Sequence, residues 1–397
     1  MLGTEFIINA LRSEGIDHVF MVPGGLIDAF DSQLGGSSGI TPIVAAHEGG
    51  ACYMADGYAR ARGSFGVCLC IGGPGVTNVL TALSASLTDN TPLLVVSGEV
   101  PTNWEGRGGF QDAGPTGLND IEILRPVTAY SAQVETANLL GHHLHSALRH
   151  MVSGSRAPVH LSIPANVQTS EVKQQYSAFV ESALKPRLID SSGVQAFWQQ
   201  VMRPTPATKI AILAGHGVVR SDASEALMAF AERFQIPVAT TLKAKGAIPE
   251  DHPLSTGIFG YAGTRHATEL LLGDDCEILL VLGSSLDQRD TMYWNVHLQP
   301  KRAIIQVDIN QIAFGRNYPV DIAVVSDCFE FIQALVSGSE SGVAALAQGN
   351  EARIDWLRRV RESGALLYDE ENTVSEAIPM HPARVIAEAR KAMPRDT

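Results

Sequence analysis

The stretch IVAAHEGGACYMADGYARAR, Ile43 to Arg62, decides the fold. Ile43, Val44, Ala45 and Ala46 form a short apolar run, the pattern of a buried strand's end. Gly49 and Gly50 predict a sharp turn after it. Ala51, Met54, Ala55, Tyr58 and Ala59 then recur at i, i+3, i+4, i+7 and i+8, which predicts one apolar helix face. One carboxylate, Glu48, stands at the junction. Ligands of open α/β sheets bind beyond the carboxyl ends of the strands, so Glu48 is the first candidate functional residue. The plainer alternative is a helix-dipole partner, worth about 0.3–1 kcal/mol. A zinc-protease reading of His47-Glu48 fails, because the second histidine would fall on Ala51.

The same strand–turn–helix pattern repeats on both sides. His18 to Val22 reads as a strand ended by Pro23-Gly24-Gly25. Val67 to Ile71 reads as a strand followed by GGPGVTN at 72–78 and a helix through Leu87. Leu93 to Ser97 is a further strand, followed by a loop to Pro126. Ala137 to Met151 reads as a helix and Val159 to Ile163 as a strand. Strands alternating with helices predict a parallel sheet covered on both faces. Three strand ends therefore carry glycine-rich turns, with one carboxylate among them.

Residues 169–188 are polar, end in Lys185-Pro186-Arg187, and read as a linker between domains 1–168 and 189–340. In the second domain, strands are expected at Ile210–Ala214, Pro237–Thr241, Ile278–Leu282, Ala303–Val307 and Ile322–Val325. Helices are expected over 222–234 and at Arg265–Leu272. This is a doubly wound α/β pattern with a crevice at its strand ends. GHGVVR at 215–220 is half of a dinucleotide fingerprint, without its third glycine. Residues 341–397 read as a linker, helical around Ile354 to Arg361, and then a helix from Pro382 to Met393 of the kind that opens another βα domain, before Pro394-Arg395-Asp396-Thr397.

The whole chain has 397 residues and a net charge of -13, which argues against a nucleic-acid partner. Its five cysteines form no C-x-x-C pair, and Cys68 and Cys70 sit inside an apolar run, as expected in a reducing compartment. The N-terminus reads as an amphipathic helix and not a signal peptide. No apolar run approaches the roughly 18 residues of a membrane span. A cytoplasmic location is expected. Gly35, Ser37 and Gly39 fit G-x-S-x-G in letter, but they precede a strand where a nucleophile elbow follows one.

VFMVPGG at 19–25, AAHEGGACYMADGYAR at 45–60 and GGPGVTN at 72–78 resemble the three signatures of the pyrimidine-binding domain of thiamine-diphosphate enzymes. KAKGAIPEDHPLSTGIFG at 243–260 and LGSSLDQRD at 282–290 resemble that family's middle domain, closest to the acetolactate (acetohydroxyacid) synthases. The resemblance runs along essentially the whole chain. It implies decarboxylation and carboligation of 2-oxo acids such as pyruvate, giving 2-acetolactate for branched-chain amino-acid biosynthesis.

In that family the Glu48 carboxyl hydrogen-bonds N1′ of the aminopyrimidine and favours its 4′-imino form, which then removes the thiazolium C2 proton. A carboxylic acid in an apolar cleft holds its proton nearer neutral pH, as that role needs. The resemblance places Pro23, Gly24 and Gly25 near the reacting carbon, Pro74, Gly75 and Asn78 at the pyrimidine, and Gln111 toward substrate. A solvated loop amide is the plainer reading of Gln111.

For FAD it implies contacts at Arg156, Gly215, Gly217, Gly263, Thr264, Arg289, Asp308 and Asp327. Departures from the synthase pattern fall on that set: Ala129 follows P-V-T, His216 interrupts the glycine run, and Ala262-Gly263-Thr264 replaces H-G-T. A middle domain that kept the fold without the flavin is the alternative. The family's G-D-G…N motif for the diphosphate and Mg²⁺ is not found in the sequence. The chain is thus expected to lack the third domain, as a truncated or split enzyme. It would be inactive alone and would work as a homodimer, a higher oligomer, or with a separate diphosphate-domain subunit. The other functional readings are a benzoylformate decarboxylase-like enzyme and a non-catalytic nucleotide- or partner-binding remnant.

Overall fold

The structure, a computed structural model, describes residues 1–34, 38–184, 188–202 and 208–394. Gly35 and Ser37 of the G-x-S-x-G letters, the Lys185-Pro186-Arg187 end of the expected linker, and Arg395-Asp396-Thr397 lie outside them. The chain divides into two compact units, Met1–Pro186 and Arg187–Thr397.

The first unit carries six parallel strands: β1 (His18–Met21), β2 (Thr41–Val44), β3 (Gly66–Ile71), β4 (Leu93–Glu99), β5 (Tyr130–Gln133) and β6 (Val159–Pro164). Their order across the sheet is β2-β1-β3-β4-β6-β5. Every residue of β4 and β6 is buried, which is why these strands read as unbroken apolar runs. Alternate residues serve two cores. Leu94, Val96 and Leu161 pack with the Gly3–Ser13 and Leu140–Val152 helices. Cys68, Cys70 and Val95 pack with the Glu48–Arg62 and Pro74–Thr88 helices.

The deciding stretch folds with two differences from its letters. Strand β2 is half-exposed, Val44 reaching 62%, because it is the edge strand and has β1 alone beside it. Gly49 and Gly50 are not the turn. Ala45–His47 makes it, and both glycines lie in the first turn of the helix that starts at Glu48. The buried helix face holds Ala51, Cys52, Ala55 and Ala59, while Met54 is exposed and Tyr58 half-buried. Small side chains define that face because strand β3 runs so close: a methyl on Gly66 would lie 2.1 Å from the Ala55 carbonyl oxygen.

Residues 169–184, read as linker, belong to the first unit. Glu171 bridges to Leu2, Val172 is buried, and Val180–Leu184 is a short helix whose Val180 and Leu184 join the core.

The second unit carries β7 (Ile210–Ala214), β8 (Val238–Thr240), β9 (Ser255–Ile258), β10 (Ile278–Leu282), β11 (Ala303–Asp308) and β12 (Ile322–Val325). The order is β12-β11-β10-β7-β8-β9, again parallel. The chain runs outward from β7 on one side and from β10 on the other, so the switch point lies between their carboxyl ends. Residues 341–362, expected as linker, are part of this unit's core. Trp356, Leu357 and Val360 of the Asn350–Glu362 helix are buried. The fully buried Arg353 donates to the carbonyl oxygens of Phe234, Thr208 and Leu346. The Pro382–Ala392 helix buries no residue.

Candidate active site

Strands β2, β1 and β3 are neighbours and parallel, so the turns that follow them rise from one edge of one sheet. The three glycine-bearing corners and Glu48 therefore share that edge. His47 caps the Glu48–Arg62 helix, its Nδ1 accepting the Gly49 N–H at 3.0 Å. That places Glu48 as the first helical residue, 9% exposed.

The Asn78 amide donates to Glu48 Oε2 at 2.8 Å, joining the second motif to the third. Among the described residues, Glu48 Oε1 has no hydrogen-bond partner, and it would lie 3.6 Å from a methyl on Gly75. Gly24 packs on Ile71, where a methyl would sit 2.6 Å from Cγ2, whereas a methyl on Gly25 would meet nothing within 4 Å. Pro23, Gly25 and Pro74 are exposed. One carboxyl oxygen is thus fixed and the other available. Beneath them Cys68 and Cys70 are raised well above the usual thiol range, Cys68 by its hydrogen bond with Cys52 and by burial, Cys70 by burial. They are inert wall, not nucleophiles.

Two acids missing from the motifs hold this edge in shape. Asp120 Oδ2 accepts the buried Gly73 N–H at 2.9 Å, at a residue with φ +65°. Glu99, at the end of β4, accepts the Val100 and Ala113 N–H groups through Oε1 at 2.8 and 3.1 Å. Burial pushes the Asp120 carboxyl up to about 7, with the Gly73 N–H opposing and the Glu99 charge adding. Burial also raises Glu99, against its two backbone donors. The signal for Asp120 is Asn119 ahead of the apolar spacing Ile121–Leu124, a capped helix start. Gln111 lies in the loop after β4, half-buried with φ +60°, beside an 87% exposed Phe110. Nothing in the described contacts joins it to Glu48.

The residues expected to hold FAD are differently occupied. Arg156 belongs to the first unit and donates to the Leu184 carbonyl. In the second unit the Gly215 N–H donates to Leu282 at 2.7 Å and the Gly217 N–H to Gly283 at 3.0 Å. A methyl on Gly217 would lie 2.6 Å from Gly283 Cα, and one on Gly263 2.8 Å from two carbonyl oxygens. Thr264 caps the Arg265–Leu272 helix and Asp327 caps the Cys328–Val336 helix. Asp308 accepts the Asn310 N–H at 2.8 Å, and burial raises its carboxyl. Arg289 stacks on Tyr261, 4.9 Å from the ring centroid. At the β7 turn the Gly215 and Gly217 amides are spent on the end of β10. In the second unit Gly217 and Gly263 thus serve close packing, and Thr264 and Asp327 serve helix caps.

Both units match known proteins. Residues 1–117 match the family described as "Thiamine pyrophosphate enzyme, N-terminal TPP binding domain", and residues 205–335 match "Thiamine pyrophosphate enzyme, central domain". A probable acetolactate synthase large subunit from Methanocaldococcus jannaschii is 33% identical over 91% of this chain and 59% of its own length. An acetolactate synthase large subunit from Corynebacterium glutamicum is 31% identical over 94% of this chain and 58% of its own. A glyoxylate carboligase from Escherichia coli O157:H7 is 30% identical over 100% of this chain and 65% of its own. The chain therefore spans about three fifths of the length of the relatives it matches.

Proposed function

This chain belongs to the thiamine pyrophosphate enzymes, and on that premise we propose that its first unit binds the aminopyrimidine of thiamine diphosphate for the cleavage and carboligation of 2-oxo acids. The bound cofactor supplies a carbon nucleophile and accepts the electrons released on decarboxylation. Glu48 would hold a proton at the pyrimidine N1′ through its free Oε1. Asn78 fixes the carboxyl's orientation through Oε2. Gly75 keeps the space beside Oε1 clear of a side chain, and the open face at Gly25 leaves room for the reacting end. The observation that carries the reading is this half-satisfied carboxyl at the meeting of three glycine corners.

The substrate we assign is pyruvate, with acetolactate as product, because two of the relatives above are acetolactate synthases. The match of the glyoxylate carboligase over the full chain supports glyoxylate as the second reading. Diphosphate and Mg²⁺ binding we assign to a further domain or subunit, since G-D-G…N does not occur in these residues. The reading routes no step through a flavin.

The test supplies the chain with a diphosphate-binding domain, thiamine diphosphate and Mg²⁺, and follows exchange of the cofactor C2 proton by NMR. Glu48→Gln should slow exchange by about 10²–10⁴-fold, the range of positioned proton transfer. An unchanged rate would exclude the role. Consumption of pyruvate against glyoxylate in the same mixture decides between the substrates.

A further inference from the structure

Glu99 and Asp120 are both essentially unexposed, at 1% and 0%. Neither has a cationic partner among the described residues. Glu99 Oε2 and Asp120 Oδ1 are buried without a hydrogen-bond partner. The two carboxyls face the same glycine: a methyl on Gly72 would lie 3.2 Å from Glu99 Oε2 and 3.2 Å from Asp120 Oδ2, and the Glu99 charge helps raise Asp120. Their other bonds lead in opposite directions. Asp120 grips Gly73, at the turn that carries Pro74 and Gly75. Glu99 grips Ala113, two residues beyond Gln111.

We propose that Glu99 and Asp120 share one proton and, through it, lock the Gly72–Gly75 turn to the loop that carries Gln111. Two carboxylates facing each other in an apolar interior cannot both ionise at ordinary cost, so one stays protonated. Held that way, the pair can bridge the two segments, with one acid donating and the other accepting. Both are positioning residues, since neither reaches the open edge.

No neighbour relieves the pair. Asp112 and Glu105 from the loop add negative charge against Glu99. On β3, burial keeps the Cys70 thiol neutral. The Asp120–Leu124 helix packs on the Pro74–Thr88 helix, β5, β6 and the Arg125–Val127 turn. From these, His160 on β6 is neutral because burial lowers it to about 3. Burial also raises the Tyr130 hydroxyl on β5. Arg125 is spent on the exposed Glu122. Loss of the shared proton to solvent would leave two like charges and release both segments.

The consequence for turnover rests on the thiamine reading, but the test does not. Asp120→Asn keeps an acceptor for Gly73 and offers an N–H to Glu99, imitating the protonated state. The folded Asp120 binds its proton up to about 7, against the ordinary 3.8. Asp120's contribution to wild-type stability should therefore fall as pH rises between those values and level off above. The Asn variant should lack that fall, so its melting temperature gains on wild type across the window. A pH-independent difference would overturn the proposal.

Infrared spectra of the unaltered chain, taken a pH unit below that value, should show a buried carboxylic-acid band, and its absence would overturn the proposal equally. Should Asp120→Asn fail to fold, Glu99→Gln repeats the comparison. Amide exchange at Gly73 and Ala113 should lose protection together above the transition. Loss at one alone would exclude the coupling. None of these readouts involves thiamine, so their failure leaves the Glu48 role standing. An unchanged C2 exchange rate likewise leaves the pair standing.

Discussion

The carboxyl edge of β1, β2 and β3 and the switch point of β7 and β10 are both strand ends rich in glycine, yet their glycines do different work. In the first unit Gly24 and Gly72 are packed, but a methyl on Gly25 would meet nothing within 4 Å and one on Gly75 would lie 3.6 Å from the acid. In the second, Gly215, Gly217 and Gly283 press on one another, so that the missing side chains are filled by backbone. Glycine lets a ligand approach the chain, and it equally lets two pieces of chain approach each other. The letters are the same for both. At the first edge an acid with an unbonded oxygen lies among the glycines. Glu48 keeps capacity through Oε1, whereas Thr264 and Asp327 spend theirs on helix caps.

The largest effect should come from neutralising one acid in each place. Glu48→Gln should cost the assembled enzyme the exchange rate described above with little loss of stability, since a glutamine carbonyl still accepts the Asn78 amide. Asp308→Asn should leave turnover within about twofold, because that carboxyl meets backbone donors and no reacting group in this reading. Equal losses in steady-state rate would erase the distinction between the two edges.

A second comparison uses the glycines themselves. Gly283→Ala introduces a methyl 2.4 Å from Gly217 Cα at φ +63°. Overpacking and left-handed strain together should cost about 2–4 kcal/mol, read as a lower urea midpoint. Gly25→Ala should change stability by no more than about 0.5 kcal/mol while weakening thiamine-diphosphate binding. A stability loss at Gly25 would show its turn to be packed like the other.

Much of the fold was legible in the sequence because buried parallel strands are apolar on both faces. Ile210–Ala214, Ile278–Leu282 and Ile322–Val325 fall where the letters put them. Strands β5 and β9 did not announce themselves: YSAQ and STGI are polar, and each forms a sheet edge with one neighbour. Glu48 and Asn78 were legible as motif residues, though not the bond between them, since register and turn geometry set that distance. Glu99 and Asp120 were not legible as a pair. They are 21 residues apart in the chain, and only the neighbouring ends of β3 and β4 bring them together. The 341–362 segment was hidden by its charges, because Arg353 is buried through carbonyl partners that no local pattern reveals.

Acid acts on the first sheet next. His160 is fully buried, each ring nitrogen bonded to a serine hydroxyl, Ser97 at 2.8 Å and Ser131 at 2.9 Å. Burial lowers its pKa from 6.5 to about 3. The unfolded chain thus takes up a proton that the fold refuses, and stability present above 6.5 is lost as pH falls toward 3. Among the described residues no other histidine is buried. Asp120 works in the opposite sense between pH about 7 and 3.8, so the effect is read as a difference: as pH falls from 6.5 toward 3, a His160→Gln variant should gain melting temperature on the wild-type chain. A pH-independent difference would place the acid sensitivity elsewhere.

The smallest effect concerns Asp327, which its resemblance marks as a flavin contact and its geometry marks as a cap. Its carboxyl accepts the Phe329 and Glu330 N–H groups at 3.0 and 3.3 Å. Asp327→Ala should cost about 1 kcal/mol, the usual worth of such a cap, whereas Asp327→Asn should cost a few tenths, because asparagine caps nearly as well. The order matters more than the size. A residue held for its helix obeys cap chemistry, tolerating asparagine and rejecting alanine. A residue held for a ligand would instead lose binding in both variants while the urea midpoint stayed put. The second pattern, with flavin absorbance retained by the wild-type chain and lost from each variant, would return the β12 edge to the list of binding surfaces and remove the contrast between the two sheets.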